Sequence, residues 1–504
     1  MNKASYLLAI AASISLTSYS VSGTKSEATL RAASVCFSTN SSADIKAQFE
    51  NGIVSKTLFT NKEESLSSIE ERLEDLNIPS LSLAVMNDGV IEWSAIYKSP
   101  SNKALIDCNT RYQVASLSKP VTVMAAIRMQ SNGHIDLNEN IENYLKSYKL
   151  PKGKQTKSAP ITIKNTLDHS SGINSGGFLG YEQGSPIPSD IEILQGSKHS
   201  NSAPLSVVSK PGVQLAYSGT AYTLAQVALK DIFKKDFSSI MDKWILTPLG
   251  MENSSYRSPD ISSINQPDLK IQEISIAKGH DSDGKEIEGG WRVHPELAAA
   301  GMWSNANDMA TFMLEIYKGY QGKSTLFSQS EIKQMLENEK DGHVYGFILN
   351  HEGDDITLTH FGGNVGYRTG MTISLTTGDG LVYLLNSDNG AALGNQLMMT
   401  ASKLYDWSSF KQIIKTKREA KIEILKSLAG NYLWNEQLEL LISYDDEHQQ
   451  ISLHFPNGDQ YKLTPIKGVG KSFIHQDTAT LVSFNSWDKE TEFTVYGQLA
   501  VKMK

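Results

Sequence analysis

An uncharged stretch early in the chain constrains the fold more than any other feature of the sequence. Residues 121–127 are apolar apart from Thr122, and the next charged residue is Arg128. The run ends at Ser131-Asn132-Gly133, a cluster that stops helices. Such a stretch predicts a helix that is buried all round, which requires a sizeable core on every side of it.

Ser116 and Lys119 lie in the first turn of this predicted helix. Residues three apart share a helix face, so the hydroxyl and the ammonium can meet there. The positive end of the helix dipole also lies where an alkoxide would form. A serine hydroxyl is a poor nucleophile unless a neighbour takes its proton, and a desolvated lysine can do so. We therefore interpret Ser116 as a candidate nucleophile and Lys119 as its base.

The spacing of serine and lysine is common, and by itself it indicates a helix cap followed by a surface lysine. It also occurs at Ser22–Lys25, Ser330–Lys333, Ser408–Lys411 and Ser486–Lys489. What separates Ser116 from these copies is the long apolar run that follows it. A nucleophile at this position still needs support from the rest of the chain.

Composition limits the classes of partner and compartment. The chain has 504 residues, 40% of them hydrophobic, and a net charge of −8 without a long basic block, so we expect a globular protein and no nucleic-acid partner. The apolar stretch after Met1 predicts a secretory signal over 1–23, too short for a membrane anchor, and hence an exported protein, periplasmic or secreted. Cys36 and Cys108 leave two alternatives, a disulfide or two buried thiols.

Local patterns predict the elements between these features. Residues 24–61 are rich in Ser, Thr and Ala and predict a loosely ordered arm. Alternation on both sides of Asn87-Asp88-Gly89 predicts a β-hairpin over 80–97. Residues 174–204 predict a long loop at the rim of a binding site. A lysine-rich helical linker over Lys411–Lys426 precedes a stretch of period-two alternation, which predicts a small all-β module.

Two later motifs carry polar side chains. Tyr217-Ser218-Gly219 precedes a helical run, and His360-Phe361-Gly362-Gly363 ends a strand-like stretch. His169, between a helix end and a Ser-Ser-Gly turn, is interpreted as a hydrogen-bonded structural residue. The sequence contains no His-Glu-x-x-His and no Gly-x-Ser-x-Gly, which argues against a metallohydrolase and an α/β-hydrolase. We expect no metal and no cofactor.

In this order and at these separations, the Ser116, Tyr217 and His360 motifs resemble those of the β-lactamase-related serine hydrolases. This family includes class C β-lactamases, D-alanyl-D-alanine peptidases, D-aminopeptidases and esterases. The resemblance implies an α+β fold, in which a helical lobe packs on an α/β lobe with a central antiparallel sheet, followed by a barrel-like β domain. The predicted divisions are a signal peptide at 1–23, an arm at 24–61, a β-lactamase-like domain at 62–407, a linker at 408–420 and a β domain at 421–504.

The resemblance also implies catalytic roles. Ser116 would be the acylated nucleophile, and Lys119 its base or proton relay. Tyr217 would be the second proton-transfer group, serving the leaving group and later the hydrolytic water. His360 would stand on the strand where the family carries Lys or His.

Substrate contacts follow from the same resemblance. The backbone N–H groups of Ser116 and Gly363 would form an oxyanion hole, which stabilises the transition state of acyl transfer. Gly362 and Gly363 would let the substrate backbone lie against the strand.

Two departures from the family pattern bear on the substrate. Gly219 stands where class C β-lactamases carry Asn, and His360 replaces Lys, so both argue against an efficient β-lactamase. We expect a serine hydrolase that cleaves an amide or ester bond through an acyl-serine, a D-amino-acid peptidase or esterase. The expected partner is a small-molecule or peptide substrate, with the cell wall as a candidate source. The alternatives are a non-catalytic relative that binds cell-wall peptide or another ligand, and a true β-lactamase.

Overall fold

The computed structural model of the protein describes residues 33–39, 42–60, 64, 66–174, 176–259, 275–434, 438–456, 460–468, 470–484 and 491–503. The predicted signal peptide and the first part of the predicted arm lie outside these ranges. None of the helices within them combines the length and the apolar character needed to cross a membrane.

Among the described residues, twelve strands precede the C-terminal module. They are β1 (Ala33–Ser38), β2 (Thr57–Phe59), β3 (Ser80–Asn87), β4 (Val90–Lys98), β5 (Tyr112–Gln113), β6 (Trp303–Ser304), β7 (His343–Val344), β8 (Phe347–Glu352), β9 (Asp355–Asn364), β10 (Tyr367–Ser374), β11 (Gly380–Leu385) and β12 (Ile413–Lys415).

The α-helices of the described residues are mostly short. They are α1 (Ala43–Asn51), α2 (Ile69–Asp75), α3 (Ser118–Ser131), α4 (Ile141–Tyr144), α5 (Ile163–Leu167), α6 (Asp190–Gln195), α7 (Gly219–Phe233), α8 (Phe237–Met241), α9 (Thr247–Leu249), α10 (Leu297–Ala300), α11 (Ala306–Tyr320), α12 (Gln329–Leu336), α13 (Gly390–Leu404) and α14 (Ile422–Leu428). A 3₁₀ turn, Ala115–Leu117, precedes α3, and a π turn, Asp242–Leu246, joins α8 to α9.

The central sheet has eight antiparallel strands in the order β1-β4-β3-β11-β10-β9-β8-β7. Both of its faces are covered. Leu81, Leu83 and Val85 of β3 belong to one apolar cluster, together with residues of α1, α2 and α13. Ala84 and Met86 face the opposite side, in a larger cluster that includes α3, α7 and α11. Alternate residues of one strand therefore serve two cores, which explains why nearly all of β3 is buried.

Most local predictions in this region are confirmed. The hairpin is formed by β3 and β4 with Asp88 and Gly89 at positive φ in the turn. The apolar stretch is α3, in which eleven of fourteen residues are buried. The α+β fold with a central antiparallel sheet, expected from the resemblance, is present.

The expectation of a loosely ordered arm is wrong for the described residues 33–39 and 42–60. Strand β1 pairs along β4 at the edge of the sheet, and Phe49 of α1 is fully buried. The many Ser, Thr and Ala residues of this segment suggested loose order, but pairing with β4, which is distant in sequence, supplies its hydrogen bonds. Cys36 of β1 forms a disulfide with Cys108, with the two Cα atoms 5.4 Å apart. This resolves the two alternatives for the cysteines in favour of the disulfide.

The C-terminal module is a closed barrel of eight strands, as the resemblance implied. They are β13 (Gly430–Trp434), β14 (Leu438–Asp445), β15 (Gln450–His454), β16 (Gln460–Ile466), β17 (Lys471–His475), β18 (Leu481–Phe484), β19 (Glu492–Val495) and β20 (Gln498–Lys502). Inward-facing side chains such as Ile442 and Leu453 are fully buried and fill its interior. Closure leaves no free sheet edge.

The junction before the barrel differs from its prediction. The helical linker over Lys411–Lys426 is wrong for most of its length, because β12 pairs in parallel with β2 and α14 begins only at Ile422. The barrel also contacts the sheet-covering helices, since Asp477 binds Arg72 of α2 at 3.1 Å and accepts a hydrogen bond from Gln396 of α13. The positions of the domain boundaries stay predictions.

Candidate active site

Ser116 is presented from a tightly held turn. It lies half-buried in the 3₁₀ turn between β5 and α3, directly after Ala115. Ala115 has a φ of 51°, a left-handed conformation that is uncommon for a residue with a side chain and that persists only when its surroundings enforce it. Here the Ser118 hydroxyl donates to the Ala115 carbonyl at 2.6 Å, and the Thr369 hydroxyl donates to the Val114 carbonyl at 2.9 Å. The turn is thereby fixed to both α3 and β10.

Lys119 lies one helical turn beyond Ser116 and is only 2% exposed. Its Nζ donates to Ser116 Oγ at 3.1 Å and to the Ala299 carbonyl of α10 at 2.7 Å. Burying an ammonium is costly unless polar partners replace water, and these two acceptors do so. The hydroxyl and the ammonium therefore meet as the helical spacing predicts.

The Tyr217 ring forms one wall above the lysine. Tyr217 stands just before α7, whose N-cap is Ser218, and it is 43% exposed. The Lys119 Nζ lies 4.9 Å from the centre of the Tyr217 ring and 5.6 Å from that of Tyr222, distances at which a cation is attracted to an aromatic face. The structure thus brings together the first two predicted motifs.

His360 of β9 is buried close to this group, with its ring centre 6.5 Å from that of Tyr217. Burial foremost, and then the charges of Lys119 and His343, lower the pKa of His360 to about 3. A hydrogen bond with the Ser116 backbone raises this pKa, but by less than the other causes lower it. His360 is therefore neutral near pH 7 and does not supply the positive charge that a lysine at this position would.

Gly362 and Gly363 face different surroundings. A Cβ on Gly362 would lie 2.3 Å from Thr369 Oγ1 and 2.6 Å from the Val114 carbonyl, so this glycine permits β9 to pack against the Ser116 turn. Gly363 is exposed, and a Cβ there would meet nothing closer than 3.6 Å. Gly363 therefore lies on open surface, whereas the space beside Gly362 is occupied by other residues of the protein.

Replacing Gly362 by alanine should therefore destabilise the site, whereas Gly363→Ala should not. The added methyl at position 362 must displace backbone or Thr369, which costs about 1–3 kcal/mol of unfolding free energy and shifts the Ser116 turn. Denaturant unfolding and the rate of Ser116 labelling by a fluorophosphonate probe measure the two effects. Gly363→Ala is the matched control for unfolding, and equal stabilities of the two variants would contradict the packing described.

The space beside Gly219 is filled by residues of the loop predicted over 174–204. A Cβ on Gly219 would lie 2.6 Å from the Phe178 ring and 2.8 Å from the Gly176 carbonyl, and the Gly219 N–H donates to that carbonyl at 3.1 Å. A side chain at position 219, such as the asparagine of the resembled family, has no room. Phe178 belongs to the loop predicted over 174–204, and nothing in its local sequence marks it as a site residue.

Other groups of the site were missed by sequence reasoning. The Ala299 carbonyl carries no side-chain signal, although Ala299 lies in a small-residue stretch just before Gly301. His169, interpreted as structural, does accept a hydrogen bond at Nδ1 from the Ser218 N–H at 3.1 Å, and its ring centre also lies 4.3 Å from that of Tyr217.

Within the described ranges, no group of three or more His, Cys, Asp or Glu side chains could hold a metal ion.

Comparisons with known proteins find a matching family model and similar sequences. A family model described as Beta-lactamase matches residues 67–399. Protein flp of Staphylococcus aureus (strain COL) is 23% identical over 228 residues, which are 44% of this chain and 40% of the relative, so the match spans less than half of that protein.

Solved structures show likeness of fold at low sequence identity. The octameric penicillin-binding protein homologue from Pyrococcus abyssi superposes with a TM-score of 0.55 and 18% identity, over 86% of this chain and 98% of that one. The D-amino acid amidase from Ochrobactrum anthropi SV3 complexed with L-phenylalanine gives a TM-score of 0.52 and 20% identity, over 67% of this chain and 96% of that one.

Proposed function

Since the chain belongs to the β-lactamase family of serine hydrolases, we propose that it cleaves an amide or ester bond through an acyl intermediate on Ser116. The proposed activity is that of a D-amino-acid peptidase or esterase. The single observation that carries this proposal is the 3.1 Å hydrogen bond between the buried Lys119 Nζ and Ser116 Oγ, beneath the Tyr217 ring.

The proposed reaction has two halves. Ser116 Oγ attacks the substrate carbonyl carbon, and its proton goes to Lys119 Nζ, which accepts it with the lone pair of its amine form, with Tyr217 as the second proton-transfer group of the network. The oxyanion that forms is stabilised by the N–H groups of Ser116 and Gly363. As the carbonyl re-forms, the bond to the amine or alcohol breaks, and the network returns the proton to that leaving group. Water then attacks the acyl-serine, and its proton goes back to Ser116 Oγ through the same groups.

The substrate class is inferred from what faces the site. Phe178 takes the place of a polar side chain at position 219, and neutral His360 replaces a cation, so two polar contacts that a β-lactamase would use are missing. Neither change affects the nucleophile or its proton-transfer partners. The amidase among the structural neighbours, whose name refers to D-amino acids, supports a D-configured substrate.

Export is part of the proposal. The disulfide between Cys36 and Cys108 supports it, because such bonds persist in oxidising compartments such as the periplasm and the extracellular space. Together with a hydrolase site open at Gly363 and Tyr217, this location would give access to cell-wall peptides.

The substrate preference is tested with a panel of three compounds. We expect a short p-nitrophenyl ester and a D-Ala-D-Ala peptide to be hydrolysed with kcat/KM values about 10- to 100-fold above that of nitrocefin. Losing one hydrogen bond to a charged group costs about 1.5–3 kcal/mol, which sets this range. Steady-state kinetics on purified full-length protein give the comparison.

The outcomes separate the candidate functions. A preference for nitrocefin would identify a true β-lactamase and refute the proposed substrate class. Binding of a D-Ala-D-Ala peptide without turnover of any compound, and without acylation by labelled penicillin, would identify a non-catalytic relative.

A further inference from the structure

The Tyr217 side chain is partly exposed, so its orientation depends on the groups that pack against its ring. It is 43% exposed, and its ring centre lies 4.3 Å from that of His169, 4.9 Å from Lys119 Nζ and 6.5 Å from the ring centre of His360. A side chain this exposed keeps rotamer freedom unless packing removes it. His169 is the nearest of these three groups, and its packing restricts the ring.

His169 also binds the backbone on both sides of Tyr217. The Ala216 N–H donates to the His169 carbonyl at 2.8 Å, and the Ser218 N–H donates to His169 Nδ1 at 3.1 Å. One residue thus holds the chain before and after Tyr217 while its ring packs on the Tyr217 ring. His169 itself has a φ of 59°, a conformation that this close bracing enforces.

The charge state of His169 suits this contact. Burial foremost, and then the charges of Lys119, His360 and His343, lower the pKa of His169 well below its ordinary value, so the ring is neutral. Because Nδ1 accepts the Ser218 hydrogen bond, the proton is on Nε2. A neutral imidazole can lie against Tyr217 without repelling the Lys119 ammonium, which a protonated one would do.

We propose that His169 is a positioning residue that holds the Tyr217 ring over Lys119, an inference that rests on the proposed function because it concerns proton transfer by Tyr217. The hydrogen bond to Ser218 fixes the backbone, and the imidazole face fixes the ring. His169 touches neither the substrate nor the reacting atoms in this role. Its effect on the rate passes through Tyr217.

Two substitutions separate the ring contact from the backbone contact. His169→Asn keeps a side-chain acceptor for Ser218 and tolerates a positive φ, but it removes the ring. His169→Phe keeps a ring against Tyr217, but it leaves the Ser218 N–H without this acceptor and strains the backbone. Full-length protein is used for both, with kcat, KM and Tm measured on the best substrate of the panel.

We expect the two variants to rank in opposite orders by kcat and by Tm. His169→Asn should lower kcat about 10- to 100-fold with KM within about 3-fold, because a displaced catalytic group costs rate and not binding. His169→Phe should retain more of kcat while having the lower Tm of the two. If kcat instead follows Tm, with the Phe variant the slower enzyme, His169 has a structural role alone and the proposal is overturned.

A measurement independent of turnover keeps the inference separate from the proposed function. With 3-fluorotyrosine at position 217, the ¹⁹F shift should be displaced by the imidazole ring current, should remain displaced in His169→Phe and should move toward the free amino-acid value in His169→Asn. An unchanged shift in His169→Asn overturns the positioning role even if the enzyme is active. A failure of the wild-type protein to acylate at Ser116 refutes the proposed function, whereas the ¹⁹F shifts still decide whether His169 holds the ring.

Discussion

Replacing Ser116 by alanine should abolish turnover of every substrate while leaving the fold intact. The change removes one half-buried hydroxyl, and the turn that carries it is fixed by Thr369 and Ser118 through groups that remain. Removing a covalent nucleophile costs on the order of 10⁴-fold or more in kcat. Initial rates on the ester and the D-peptide, with circular dichroism to check folding, measure the effect.

Ser330→Ala is the matched control for this experiment. Ser330 has the same spacing to a lysine, Lys333, but it lies exposed on α12. It should behave as the unmodified protein in rate and in stability. Mass mapping of a fluorophosphonate-labelled peptide gives a second readout, and labelling of a residue other than Ser116, or retained hydrolysis in Ser116→Ala, would show that the nucleophile is elsewhere.

Lys119→Ala and Tyr217→Phe should each lower kcat strongly and should not be additive. Proton transfer by a positioned group contributes about 10²- to 10⁴-fold, and the two side chains act on the same proton. Tyr217→Phe keeps the ring over Lys119 and removes only the hydroxyl, so it isolates proton transfer from packing. The double variant should be about as slow as the slower single variant.

A double-mutant cycle in kcat/KM, with Tm recorded for each protein, is the measurement. Lys119→Ala also leaves the Ala299 carbonyl without its partner, so its Tm should fall, whereas that of Tyr217→Phe should stay close to the unmodified value. Lys333→Ala on α12 is the control for loss of a lysine at the same spacing. Fully multiplicative losses would mean that the two groups do not share one proton-transfer network.

The elements that could be predicted are those whose information is local. The hairpin of β3 and β4 follows from alternation around an Asn-Asp-Gly turn, and α3 follows from an uncharged run with a helix-stopping end. Local patterns failed where a distant partner determines the structure. Strand β1 pairs with β4 across about sixty residues, and β12 pairs with β2 across more than three hundred and fifty, so neither could be read from its own composition.

The candidate site divides in the same way. The helical spacing of Ser116 and Lys119 places both on one face, and the order of the three motifs indicates the family. Three features depend on segments far apart in sequence: the Ala299 carbonyl that binds Lys119, the Phe178 ring that fills the space at Gly219, and the neutral state of His360. All three arise from packing between segments that are distant in sequence, and local sequence patterns do not show such packing.

The identities of the side chains establish which chemistry is available and what kind of core surrounds it. Ser116 and Lys119 at the start of a long apolar run, with Tyr217 in a later motif, favour acyl transfer, because side-chain identity determines which groups can attack, accept and return a proton. Which of these groups meet, and how they are charged, depends on the packing of segments that are distant in sequence. His169 illustrates the difference: its sequence context predicts a hydrogen bond, but its contact with the Tyr217 ring exists because α7 and the turn after α5 pack together, and its neutrality exists because that packing removes water.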